Sequence, residues 1–574
     1  MVVQDTAWLV NKREAVGEQG MVAAMHPLAT AAGLEILKAG GNAVDAAVAT
    51  GFATSVVEPF MSGVGGLCSM VIYRASDNTT AVVDGSALTP GGARDGMYEL
   101  LDPSRRAGLY QWRATRDDAN NTGYRSICVP GTPAALLLAL ERYGSLPRAR
   151  VMEPGIRLAE EGYPLDWYVA MMIAFRPDYL QRFPGTARVF FKPDGRPFKP
   201  AIMGEGPEKL VQSDLARTLR LVAEQGPRVL YEGEIADKIV SAMHEKGGII
   251  TREDLSSYEA RELGPGLEAS YRGVRLVGAS KASGCSTVYQ TLNILENFDL
   301  AAEGAGTAGA YHLIAEASRR SFLDRFAYMA DPDSAPVPWE GLLSKEYARE
   351  VARTIDPHRA STDAKAGDPW AYEPGGRAAT WRPGGEGEGQ TTHITVVDRE
   401  RNMVALTSTL VADFGSKVVI PGTGILMNNG MAWFNPEPGT VNSVGPRKRA
   451  LWAISPTLAF RDGRPLLACG SPGGRKVMTA ITQTLVNSID FDEGPQEAVS
   501  RPRVHCEGAM TMADSRIESE VIESLGAMGH QLDVREETFT TSLFGRPNCI
   551  RIYPERGELR GGVNQHKVAW AMGM

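Results

Sequence analysis

The sequence predicts a mixed α/β (α+β) chain, and three observations carry that expectation. Residues 27 to 57 show helix spacing with stop and start signals, residues 391 to 410 show a strong β-hairpin signal, and the overall composition is that of an ordinary globular protein. Hydrophobic residues at 43% and charged residues at 22% exclude disordered, collagenous and coiled-coil classes. At about 150 residues per domain, 574 residues suggest three or four domains, or fewer in a large layered architecture.

Charge narrows the partners. The 60 basic and 68 acidic residues leave a net charge of -8, whereas a nucleic-acid surface needs clustered Lys and Arg, so no nucleic-acid partner is expected. The N-terminus carries Asp5 where a secretory signal needs a basic start and an apolar run, and no uncharged stretch reaches membrane-spanning length, so a cytoplasmic protein without a membrane partner is expected. Cys68, Cys128, Cys285, Cys469, Cys506 and Cys549 are scattered without CxxC spacing, and the eight histidines show no ligand spacing. No metal and no cofactor are expected, and the thiols are expected to be buried or incidental.

In chain order, Leu34, Ile36 and Leu37 give the first helix an apolar face, Gly40-Gly41 stops it, Asn42 caps the second, and Glu58-Pro59 ends the pair. The Gly-rich Ser62 to Gly66 resembles a nucleotide loop only superficially, because no GxGxxG opens a helix after a strand and no GxxxxGK[ST] exists. Cys68 to Tyr73 follows as a plausible buried strand. Helices are expected at Pro133 to Tyr143 and Ala308 to Met329, with Arg319, Arg320 and Arg325 read as solvated helix faces. From 361 to 390 one residue in three is Gly or Pro, which marks a linker ending abruptly at Gln390.

The hairpin register is legible. With Asp398 to Asn402 as the turn centred on Glu400, Thr391 and Thr409 stand opposite each other. Period 2 then places Thr391, His393, Thr395, Thr407 and Thr409 on one face, and Ile394, Val396, Val404, Leu406 and Leu410 on the other. The apolar face belongs to the core, and the polar face is either a site or the wet side of a half-solvated hairpin.

Common nucleophile motifs are missing: there is no GxSxG and no HExxH. A threonine made N-terminal by a cut before it can use its own α-amine as base, since that amine has a reference pKa of about 7.7 to 8.0. A Gly-rich linker ending at Thr391-Thr392 is where such a cut is expected. Gly470-Ser471-Pro472-Gly473-Gly474, after the apolar run ending at Cys469, offers backbone N–H groups for an oxyanion, or is simply a tight strand-to-helix turn.

These residues resemble a family. Thr391-Thr392-His393, Val396-Val397-Asp398, Gly424 to Asn429, Ser455-Pro456-Thr457 and Gly470 to Gly474 look like γ-glutamyltranspeptidase, and so do Gly20 to Ala23, Gly40 to Ala47, Val129 to Thr132 and Ala330-Asp331-Pro332, in the family's order. The resemblance implies a four-layer αββα sandwich of the N-terminal nucleophile hydrolase type. It implies a precursor that cuts itself between Gln390 and Thr391 into a large subunit, 1–390 with the linker 361–390, and a small catalytic subunit, 391–574. It also implies Thr391 as nucleophile, Thr409 as the residue orienting it, Gly473 and Gly474 as oxyanion donors, and a small-molecule amide as substrate.

The sequence departs from the family where γ-glutamyl groups are held. An Arg expected before an early Pro is replaced by Ser86, an acidic residue after the Asn-Asn pair by Trp433, a Ser-Ser pair by Trp452-Ala453, and an Asn after the second threonine by Val411. Each lost charged hydrogen bond removes about 1.5 to 3 kcal/mol, so γ-glutamyl specificity is expected to go while amide cleavage stays. The expectation is an amidohydrolase or acyltransferase with an altered acyl group, as in the related cephalosporin-acylase-type members. A true glutathione hydrolase follows if Arg94 or Arg449 replaces the lost anchor, and a non-enzymatic binding relative is the alternative from another class.

Overall fold

The computed structural model describes residues 10–108, 111–333, 335–375, 390–440 and 442–574. Residues 376–389 of the Gly-rich linker expected at 361 to 390 lie outside the described residues.

Fourteen strands build two sheets. They are β1 Ala15–Gly17, β2 Gly20–Ala24, β3 Leu67–Arg74, β4 Thr79–Gly85, β5 Arg261–Glu262, β6 Leu267–Tyr271, β7 Val274–Gly278, β8 Gln390–Asp398, β9 Met403–Val411, β10 Thr457–Arg461, β11 Arg464–Gly470, β12 Asn548–Tyr553, β13 Glu558–Val563 and β14 Trp570–Gly573. The first sheet runs β14-β2-β8-β9-β3-β4-β5 and the second β1-β13-β12-β11-β10-β7-β6, with every neighbouring pair antiparallel. Helices α1 Pro27–Lys38, α2 Ala43–Val57 and α3 Thr132–Tyr143 cover the first sheet, and α4 Cys285–Leu295, α5 Ala308–Tyr328 and α6 Lys476–Ile489 cover the second. The result is the expected four-layer αββα sandwich.

Local sequence explains the helix pair over the first sheet. Asn42 caps α2 with a reciprocal box: its side chain accepts from Val44 N and Asp45 N while Asp45 Oδ2 accepts from Asn42 N. Every residue of α2 is buried, which is why the helix carries no charge beyond Asp45 in its cap and does not read as amphipathic. All six cysteines are free and buried. Among the described residues no helix is long and apolar enough to cross a membrane.

Two expectations need correction. Arg319, Arg320 and Arg325 are buried rather than solvated: Nη1 of Arg319 and of Arg320 each reach Glu316 at 2.6 Å, and Arg325 Nη2 donates to Trp452 O at 3.1 Å. Glu316 stands three and four residues before the first two, so the pairing is the ordinary helical one, turned inward. The hairpin is not half-solvated either, because β8 and β9 are central strands with helices on one side and the second sheet on the other. Its even face, Ile394 to Leu410, packs with α1 and α2, and its odd face meets β11 and β12.

Candidate active site

The hairpin register holds from Thr392↔Ser408 to Val397↔Met403, centred on Glu400. At its open end the ladder slips: Gln390 pairs with Val411, and Thr391 falls in the irregularity between. Thr391 nevertheless faces Thr409 across the strands, Oγ1 to Oγ1 at 3.5 Å, the long end for a hydroxyl pair, and is only 6% exposed. Thr409 Oγ1 also accepts from Val411 N at 2.8 Å. That bond comes from a strained residue: Val411 has φ of 88°, a conformation that a β-branched side chain strongly disfavours. Behind Thr409 the chain at Gly66 approaches so closely that a Cβ there would stand 2.6 Å from Thr409 O. The Gly-rich Ser62 to Gly66 thus serves close packing against this strand.

His393, two residues along the same face, donates or accepts at Thr407 Oγ1 through Nδ1 at 2.8 Å. Burial drives its pKa down to about 3, so the ring is neutral at ordinary pH. The ring lies flat against Gly470, where a Cβ would come within 2.1 Å of it. From Gly470 the loop Ser471 to Gly474 leads directly to α6, with φ of 136° at Gly473 and 58° at Gly474. Ser471 Oγ accepts from Arg546 N at 2.9 Å, and Pro472 O accepts from the same N–H at 3.0 Å. On the far side Arg475 Nε bonds both oxygens of Glu507, at 3.0 and 2.9 Å. Both partners of this pair are buried, and the Arg475 charge holds the Glu507 carboxyl well below its usual range against the opposing effect of burial. The glycine pair is therefore a fixed turn at a helix N-terminus, where N–H groups and the helix dipole favour negative charge.

The residues expected to shape the acyl group fall in two places. Val411, Trp433 and Trp452 meet in one apolar cluster with Leu67, Cys128 and Ile454, the two indoles edge to face at 5.9 Å and 76°. Ala453 is buried beside Gly284, whose added Cβ would meet Ala453 O. Ser86 stands apart from that cluster: its Oγ donates to Asp84 Oδ2 at 2.8 Å and accepts from Arg449 Nη1 at 3.0 Å. Arg94 is exposed.

One polar group at this site has only a helix-ending role in the sequence. Glu58, immediately after α2, is fully buried and accepts from Thr392 Oγ1 at 2.8 Å. Burial raises its pKa to about 7, with His26, Thr392 and Arg546 opposing and Asp166 adding to the rise. Its only sequence signal is a charge directly after a helix that carries none beyond Asp45 in its first turn.

Comparison with known proteins places the chain in a family. The γ-glutamyltranspeptidase family model matches residues 29–573. The acylase ACY 1 proenzyme of Pseudomonas sp. (strain SE83) is 38% identical over 557 residues, covering 96% of this chain and 93% of that protein. The glutathione hydrolase proenzyme of Bacillus subtilis (strain 168) is 34% identical over 572 residues, covering 98% and 93%. The crystal structure of cephalosporin acylase from Bacillus halodurans superposes with a TM-score of 0.85 at 28% identity, covering 100% of this chain and 98% of that one. The layered fold and these relatives make the protein an enzyme of the N-terminal nucleophile hydrolase type. It belongs to the γ-glutamyltranspeptidase family.

Proposed function

We propose that the chain is a self-processing amide hydrolase or acyltransferase with an altered acyl specificity, made as one precursor and cut between Gln390 and Thr391. The observation that carries this reading is the buried Thr391 hydroxyl facing Thr409 at a break in the ladder, directly after the Gly-rich segment. In the cut, Thr391 Oγ attacks the Gln390 carbonyl carbon, the acyl group passes from nitrogen to oxygen and frees the α-amine, and water then hydrolyses the ester to release the Thr391 hydroxyl and a Gln390 carboxylate. In turnover, Thr391 Oγ attacks the substrate carbonyl and passes its proton to that amine. The Gly473 and Gly474 N–H groups bear the oxyanion, the leaving amine takes the proton, and water or an acceptor amine then resolves the Thr391 ester. Thr409 orients the nucleophile.

The acyl side favours a group other than γ-glutamyl. Val411, Trp433 and Trp452 stand where the family carries polar anchors; they are buried against one another and supply no charge for an α-amine. One observation favours the second reading, a true glutathione hydrolase: Arg449 does reach Ser86, the position where the family carries its carboxylate anchor. Against it, Asp84 lies 4.0 Å from the same guanidinium and answers its charge.

The test is incubation of the purified chain, followed by assay with γ-glutamyl-, glutaryl- and phenylacetyl-p-nitroanilide. Wild type is expected to split into fragments of about two-thirds and one-third of the chain, and Thr391→Ala to stay whole and inactive. Glutaryl or phenylacetyl turnover is expected to exceed γ-glutamyl turnover, and Trp433→Ala to lower it without blocking the cut. Glutathione turnover at the rate of an ordinary glutathione hydrolase would restore the second reading.

A further inference from the structure

The cut creates a mechanical problem at the nucleophile. Before it, the end of β8 is held by the chain continuing to Gln390 and by the Gln390↔Val411 pair. After it, that pair no longer restrains Thr391, and the ladder slip leaves Thr392↔Ser408 as the first main-chain pair on the new strand end. A free N-terminal residue frays unless something holds it.

The nearest side-chain restraint on that end, apart from the Thr391 to Thr409 contact, is the Thr392 to Glu58 bond. Thr392 points away from Thr391, toward the helix layer, and its hydroxyl donates to Glu58 Oε2 at 2.8 Å. Glu58 is itself fixed: its N–H donates to Thr54 O, and its carbonyl accepts from Met61 N at 2.9 Å and Ser62 N. A buried carboxyl in this position needs company, and it has it. His26 bonds Asp166 at 3.0 Å, and the fully buried Arg546 bonds the Tyr168 hydroxyl through Nη1 at 3.1 Å. Arg546 is also the residue whose N–H holds Ser471 and Pro472. Glu58 thus meets the nucleophile strand through its carboxyl, and Arg546, whose charge acts on that carboxyl, meets the oxyanion loop through its main-chain N–H.

We propose that Glu58 is a positioning residue that, by accepting the Thr392 hydroxyl across the cut, keeps the freed end of β8 in place so that Thr391 stays against Thr409. The inference rests on the cut at Thr391 proposed above. Glu58 then belongs to the larger fragment and Thr392 to the smaller, so the contact joins the two.

The experiment compares Thr392→Val, Thr392→Ser and Glu58→Gln with wild type, scoring fragment formation, thermal unfolding, kcat and KM on the anilide that wild type hydrolyses fastest, and hydrogen exchange of the peptide beginning at Thr391. Thr392→Val is expected to cut, to lose about ten- to a hundredfold in kcat with KM within about twofold, and to exchange faster at its N-terminal peptide alone. Thr392→Ser, which keeps the hydroxyl, restores most of the loss, and Glu58→Gln falls between. Processed Thr392→Val with wild-type kcat and exchange overturns the proposal. Variants that unfold like wild type yet stay uncut move the contact's role to the cut itself and overturn it as well. Failure of wild type to cut at Thr391 is a separate result that refutes the function rather than this contact.

Discussion

At the scale of single residues, the site is set by hydroxyls and strain rather than by a histidine. Thr409 accepts from Val411 N and faces Thr391, so Thr409→Ala removes a hydroxyl that meets the proposed nucleophile across the strands. Loss of one neutral orienting hydrogen bond of about 0.5 to 1.5 kcal/mol predicts a fall in kcat of roughly two- to tenfold in whatever protein matures, with KM little changed. His393 makes the opposite prediction. Its pKa is lowered from 6.5 to about 3 by burial, so the folded state binds this proton less readily than the unfolded state. The stability it contributes is whole above pH 6.5 and is lost as pH falls toward 3, with a slope of at most about 1.4 kcal/mol per pH unit. Denaturant midpoints measured from pH 7 to pH 4 should fall less steeply for His393→Gln than for wild type, while the alkaline side of the rate profile is unmoved. Equal slopes would show that the ring is not held neutral. The threonine pair was legible because it flanks a recognisable turn. Glu58 was not, since no motif links it to Thr392, and their contact depends on how α2 ends over a strand more than three hundred residues further on.

At the scale of elements, the hairpin shows what pattern reading can and cannot reach. Asp398 and Asn402 close the turn, Asp398 N donating to Asn402 O at 3.1 Å, and that fixes the register of every pair to Thr392. The slip at Thr391 has no signature in the sequence, because a bulge depends on the neighbouring strand and the loop beyond. Burial of the polar face was equally hidden, since it depends on β2 and β3 flanking the hairpin and on β11 and β12 covering it. The arginines of α5 were misread although their spacing from Glu316 was visible, because i to i+3 and i+4 pairs look alike on wet and dry faces. Gly470 supplies the test at this scale. A methyl group there would meet the His393 ring at 2.1 Å, with sheet on both sides to prevent relaxation. Gly470→Ala should cost about 1 to 3 kcal/mol in chemical unfolding, and His393→Ala in the same chain should recover part of it. Additive losses in the double variant would contradict the contact.

At the scale of the whole molecule, the proposed fragments are not separable domains. β8 and β9 sit between β2 and β3 of the other fragment, and β10 to β13 lie between β7 and β1. A cut before Thr391 therefore leaves both sheets and both helix layers intact, and the processed protein should elute as one species without denaturant, its two fragments parting only on unfolding. Independent elution of the smaller fragment would refute this architecture.

The central claim is that Thr391, freed by the cut, carries the acyl group. Its most direct measurement is the mass of the acid-quenched protein during turnover of the fastest p-nitroanilide, followed by mapping of the N-terminal peptide of the smaller fragment. The expected result is a peptide beginning Thr391-Thr392-His393-Ile394, heavier by the acyl group on Thr391, and no adduct in Thr391→Ala. Turnover by uncut protein, or an adduct on any other residue, would contradict it.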